Sequence, residues 1–162
     1  MQQPASAPSK LSLWIGLTRP KTLFSSLSSV LVAIFYAASL GAIDVLRTLL
    51  LIVVAVAAQI ASNIANDLID HRKGADTDER KGPLRPLSRG LISEREVRIA
   101  LYLSLAVLLT SGLWLIALSS WWLLLIGLAV VLGVFAYSGG PYPLSYHGWG
   151  DAAVLVFFGW VP

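Results

Sequence analysis

The sequence predicts an all-α fold, a polytopic transmembrane helical bundle with four full spans and the start of a fifth. The chain is 56% hydrophobic and only 13% charged, and its mean hydropathy is +0.73. Its apolar runs are long enough to cross a bilayer core of about 30 Å. From Ile99 to Gly150 there is no Asp, Glu, Lys or Arg at all.

The elements follow in order. Residues 1–21 read as a cytoplasmic N-terminal segment. Met1 to Ser9 is polar and Pro-containing without a small-residue cleavage site, which argues against a removed signal peptide. Thr22 to Leu40 is the first apolar span and Leu46 to about Asn66 the second. Val97 to Leu118 and Trp121 to Tyr137 form a hairpin around Ser119 and Ser120, and Ala152 to Pro162 opens a further span. Polar loops occupy about 70–97 and 138–151. Ser93 reads as the N-cap of the third span, with Glu96 at the capping-box position.

Charge orients these spans. Lys10, Arg19 and Lys21 precede the first, only Asp44 and Arg47 separate the first from the second, and eight basic residues lie from Arg72 to Arg98. The positive-inside rule places the N-terminus and the first polar loop in the cytoplasm, and the uncharged hairpin that follows returns the second polar loop to the same side. The net charge of +3 is thus a topological signal, and the basic loop also suits anionic membrane lipid or a phosphorylated substrate. Nucleic acid is a poor partner, because acidic residues interleave the basic ones and no Phe, Tyr or Trp from His71 to Ala100 is available to stack bases. Without cysteine, neither a disulfide framework nor a thiolate metal site is possible.

The residues that carry chemistry end the second span. Asn63, Asn66, Asp67 and Asp70 fall at i, i+3, i+4 and i+7 of a helix and make one polar stripe, with Gln59 a turn earlier on the same face. Ionisable groups there are costly and tied to function. Carboxylates at a helix C-terminus oppose its dipole by about 0.3–1 kcal/mol each, so something positive must compensate. A turn at Gly74 would bring Asp76 back toward Asp67 and Asp70. Three hard oxygen donors and a carboxamide suit Mg²⁺, whereas zinc lacks His or Cys in ligand spacing. The following Gly/Pro-stiffened loop offers Arg80, Arg85 and Arg89, whose guanidinium forks bind phosphate oxygens. Carboxylates with Mg²⁺ on one side and arginines on the other, beside an apolar cavity, describe a site for a lipid diphosphate.

These residues resemble the UbiA superfamily of intramembrane aromatic prenyltransferases. The resemblance runs from Arg19-Pro20-Lys21-Thr22-Leu23, through the block from Asn66 to Arg85, to Tyr137-Ser138-Gly139-Gly140-Pro141-Tyr142-Pro143-Leu144 and Gly148-Trp149-Gly150-Asp151. The commonest family pattern spaces its Asn, Asp and Asp four apart, whereas here Gly74 holds the third position and Asp76 follows two later. That variant is similar to the members that prenylate 1,4-dihydroxy-2-naphthoate in menaquinone synthesis. The resemblance implies a cytoplasm-facing cavity, a polyprenyl diphosphate donor, an aromatic acid acceptor, Mg²⁺ and a bacterial inner-membrane location. It assigns Asn66, Asp70 and Asp76 to the first metal motif and Asp67 to a neighbouring catalytic position partly off their line. Arg80, Arg85, Arg19, Lys21, Tyr137 and Tyr142 are candidate substrate contacts. The family's second acidic motif lies further along than Pro162, so residues 22–162 are expected to be the N-terminal part of a longer domain, inactive alone.

Plainer explanations compete. The stripe could be a solvated helix end, the loop arginines the positive-inside signal, and Arg19 and Lys21 interfacial anchors. Tyr137, Tyr142 and Tyr146 fit an aromatic belt, Trp114, Trp121, Trp122 and Trp160 outer anchors, and Asp151 a helix cap. His71 and His147 read as solvated. A transporter would need substrate-coupling polar residues near the bilayer midplane and broken helices, whereas the polar stripe lies at one surface and the third and fourth spans carry no charge past Arg98. A non-enzymatic scaffold gives no reason for carboxylates set against a helix dipole. Another phenolic acid, 4-hydroxybenzoate, remains the alternative acceptor.

Overall fold

Helix α3 organises the molecule because it is long, apolar over its first five turns and polar over its last two. In the computed structural model, residues 8–74 and 85–156 are described. They form α1 (Lys10–Thr18), α2 (Pro20–Ser39), α3 (Val45–Arg72), α4 (Glu94–Leu118), α5 (Leu123–Ala136), a 3₁₀ turn at Leu144–Tyr146 and α6 (Gly150–Leu155). No strand occurs among the described residues. Helices α2, α3 and α4 have 20, 28 and 25 residues and are apolar and long enough to span a membrane. At 1.5 Å per residue α3 measures about 42 Å, so some two turns project past a 30 Å core. Those turns carry the polar stripe.

The ends follow local chemistry. Asp44 caps α3 by accepting from the Arg47 N–H at 2.9 Å. Ser93 and Glu96 form the expected capping box, with the Glu96 N–H to Ser93 Oγ at 3.3 Å and the Ser93 N–H to Glu96 Oε2 at 3.0 Å. The turn expected at Gly74 is present, with φ of 64°. Asp76 and Arg80 lie outside the described residues.

Three differences from the sequence reading matter. The N-terminal segment contains a helix of its own, α1, which stops at Arg19 in the left-handed region (φ 51°, ψ 71°). Pro20 explains the break: its ring disfavours the right-handed helical conformation in the residue before it, and Pro itself suits the first position of α2. The second span runs on to Arg72, so the stripe is fully helical. The fourth run is regular helix over 14 residues only, about 21 Å, although helical hydrogen bonds continue to the Gly139 N–H, which donates to the Phe135 carbonyl at 2.8 Å.

Helix α3 packs against α1, α2, α4 and α5. The core lies at the polar end, where Leu13 and Leu17 of α1 meet Ala61, Ile64, Ala65 and Leu68 of α3, Val97 and Leu101 of α4, and Val134 of α5. Leu87 and Ile92 complete it from the loop before α4. Elsewhere large apolar side chains point outward, Phe24, Phe35, Trp121 and Trp122 among them, each at least 70% exposed. An apolar surface turned outward is the arrangement expected in lipid.

Candidate active site

The last three turns of α3 bury Asn63, Asn66, Asp67 and Asp70, with Asp67 only 2% exposed. A carboxylate removed from water needs a charged partner. Arg19 supplies one: its left-handed backbone turns the side chain back onto α3, where Nη2 binds Asp67 Oδ1. Arg85 supplies another, with Nη1 2.8 Å from Asp70 Oδ2 and Nε 3.6 Å from Asp67 Oδ1. Arg85 is placed by its loop, where Pro86, Leu87 and Ile92 are buried and the Leu91 N–H returns to the Pro86 carbonyl at 2.9 Å. The positive charge that the helix dipole demands is therefore present as two guanidinium groups.

A second loop closes over Asp70. The Tyr146 hydroxyl donates to Asp70 Oδ1. Lys73 Nζ donates to the Ser138 carbonyl at 2.8 Å and lies 5.0 Å from the centre of the Tyr146 ring. The sequence marked Tyr146 only as a belt residue and gave Lys73 no role. Neither contact is encoded in local spacing, since residues 70 and 146 meet only after α4 and α5 have returned the chain.

The stripe continues downward as a carboxamide ladder. Asn63 Nδ2 donates to the Thr18 carbonyl at 2.8 Å and to Thr22 Oγ1 at 2.9 Å. Gln59 Nε2 donates to Asn63 Oδ1 at 3.1 Å and Thr22 Oγ1 at 3.2 Å. Asn66 Oδ1 differs: it is buried and has no hydrogen-bond partner among the described residues.

A cavity of about 580 Å³ opens beside this ladder between α2, α3, α4 and α5. Arg19, Gln59, Asn63, Asn66 and Tyr137 are its polar and aromatic wall, and Val30, Leu51, Leu108, Ile126 and Val130 are typical of the rest. The candidates thus divide. Arg19, Asn66 and Tyr137 line the cavity, while Asp67, Asp70 and Arg85 form the charged cluster beside it. Tyr142 stacks instead on His147, ring centres 3.7 Å apart, on an exposed loop, and Lys21 is exposed. Among the described residues no group of three His, Cys, Asp or Glu is placed to hold a metal.

The described residues thus form a bundle of apolar helices with a buried acid–arginine cluster beside a largely apolar cavity. The chain belongs to the UbiA prenyltransferase family, which it matches over residues 26–162. It is 36% identical over 159 residues to 1,4-dihydroxy-2-naphthoate octaprenyltransferase of Escherichia coli, covering 94% of this chain and 52% of that protein. The protein of that name from Mycobacterium tuberculosis is 40% identical over 146 residues, covering 90% and 50%. The 2-carboxy-1,4-naphthoquinone phytyltransferase of Synechocystis is 29% identical over 164 residues, covering 96% and 50%. The chain spans about half the length of these relatives. No solved structure matches it.

Proposed function

We propose that the protein transfers a polyprenyl group from a polyprenyl diphosphate to 1,4-dihydroxy-2-naphthoate, giving demethylmenaquinol on the cytoplasmic side of the membrane. The observation that carries this reading is the junction of the buried Asp67–Asp70–Arg19–Arg85 cluster with an apolar cavity. A prenyl diphosphate needs both: charge for its head and a dry apolar space for its tail. The names of the relatives favour the naphthoate as acceptor.

The donor set fits Mg²⁺. Asn66 Oδ1 is an orphaned buried oxygen, Asp70 stands one helical turn further on, and both are the hard oxygen ligands that ion takes. In this reading Asn66, Asp70 and Asp76 hold the metal, which when bound draws charge from the leaving diphosphate and weakens its bond to the prenyl carbon. Arg19 on the cavity wall and Arg85 beside Asp70 bind and orient diphosphate oxygens. Between α2, α3 and α5 the apolar wall keeps water from the allylic cation, so that the electron-rich ring is the nucleophile that reaches it. The ring gains the prenyl group and loses its carboxyl.

The test uses membranes carrying the protein expressed from its whole reading frame, supplied with labelled polyprenyl diphosphate and either acceptor. Prenylated naphthoquinol that disappears with a metal chelator is expected. Product with 4-hydroxybenzoate alone would move the acceptor, and no product with either would contradict prenyl transfer.

A further inference from the structure

Donor and acceptor balance along the α3 wall leaves a second oxygen over besides Asn66 Oδ1. The Thr18 carbonyl can only accept, so the Asn63 atom 2.8 Å from it is Nδ2. Asn63 Oδ1 therefore faces Gln59, and the Gln59 atom 3.1 Å away is Nε2. Its other hydrogen goes to Thr22 Oγ1 at 3.2 Å, whose own hydrogen is used by the Arg19 carbonyl at 2.9 Å. Both Nε2 hydrogens are thus engaged, and among the described residues Gln59 Oε1 receives none. Gln59 is 8% exposed and lines the cavity. An acceptor held in place in this way and facing the cavity takes its donor from whatever fills that space.

We propose that Gln59 Oε1 accepts a hydrogen bond from a phenolic hydroxyl of the aromatic substrate, so that the ring lies along α3 between Gln59 and Asn66. This inference rests on the prenyl-transfer reading. Of the two substrates, only the aromatic one can satisfy Gln59: the prenyl tail is hydrocarbon, and a diphosphate, like a carboxylate, offers only acceptors. Asn66 stands seven residues on, two turns and about 10.5 Å along the axis on the same face. The substrate carboxyl is thereby directed toward the arginines and the hydroxyl remote from it toward Gln59. In 1,4-dihydroxy-2-naphthoate that is the 4-hydroxyl. The 1-hydroxyl, adjacent to the reacting carbon, is left to activate the ring, so Gln59 sets acceptor orientation and choice rather than reactivity.

The test compares 1,4-dihydroxy-2-naphthoate with 1-hydroxy-2-naphthoate, which lacks only the 4-hydroxyl, in the full-length protein reconstituted in nanodiscs. Wild type is expected to show an acceptor KM about tenfold higher for the monohydroxy compound, the value of one buried hydrogen bond. Gln59→Met should raise the KM for the dihydroxy acceptor by about the same factor, leave the donor KM unchanged and abolish the preference. Gln59→Asn, which keeps a carboxamide on α3 but withdraws it from the cavity by one methylene, provides the same comparison should the Met variant not fold. A wild type indifferent to the 4-hydroxyl, a preference that survives in the variants, or a shift confined to the donor KM would overturn the proposal. Normal prenylation with no Gln59 effect would do so while leaving the function standing, whereas a wild type that prenylates neither acceptor would remove both.

Discussion

Asp67 is the most demanding residue in the chain, a carboxylate 2% exposed between the guanidinium groups of Arg19 and Arg85. Its burial is tolerated only because both partners are present. Replacing it by Ala leaves two partly buried arginines short of a counter-charge, and we expect a loss of about 3 kcal/mol of stability. Unfolding of detergent-solubilised protein measures it. The exposed Arg72–Glu94 pair at 2.6 Å is the control: Glu94→Gln should cost far less, because water screens the pair, and equal losses in the two variants would show that burial is not what makes Asp67 costly. The spacing of Asn66, Asp67 and Asp70 was legible in the sequence, and so was the need for a compensating charge. That Arg19 provides part of it was not, because the contact spans 48 positions and depends on a backbone conformation rare for arginine. The carboxamides were visible as a stripe, but their saturation by Thr18 and Thr22, which singles out the Gln59 oxygen, required coordinates.

Among the elements, the long apolar helices were the most legible, since their length and hydropathy are properties of contiguous residues. The capping box at Ser93 and the turn at Gly74 were equally local and equally readable. Helix α1 was not, because its nine residues hold only Leu13 and Leu17 in the core and its start is polar. The loop after α5 shows how tightly the returning chain is fitted to α3. A Cβ at Gly139 would lie 2.6 Å from the Phe135 carbonyl oxygen and 3.1 Å from Ile69 Cδ1. Backbone cannot move aside as a side chain can, so Gly139→Ala should destabilise by about 1–3 kcal/mol. It should also loosen the segment that carries Ser138 and Tyr146 onto Lys73 and Asp70. Hydrogen exchange over 137–147 reads this directly: faster exchange than wild type is expected, and unchanged protection would mean that the close approach is relieved elsewhere.

At the scale of the whole molecule, a helical bundle turns its apolar surface outward and gathers its polar side chains at one end. Hydropathy alone predicts that architecture, because the solvent for most of the surface is lipid. An apolar cavity was expected from the polar stripe beside apolar spans and from family resemblance, but its lining was not. Its shape arises where small residues of four helices meet, Gly112 and Gly127 among them, and no local pattern marks such a meeting. In the proposed reaction, the charged cluster beside this cavity is where the donor diphosphate is held. Asp70 is its test, being joined to both polar loops through Arg85 and Tyr146. The decisive measurement is the initial rate of prenyl transfer by full-length wild type and Asp70→Asn at saturating Mg²⁺, with membrane insertion of both verified. A loss of about 10²–10³-fold with insertion intact is predicted, as for removal of a group that stabilises transition-state charge. An Asp70→Asn protein that inserts and turns over at the wild-type rate would contradict it.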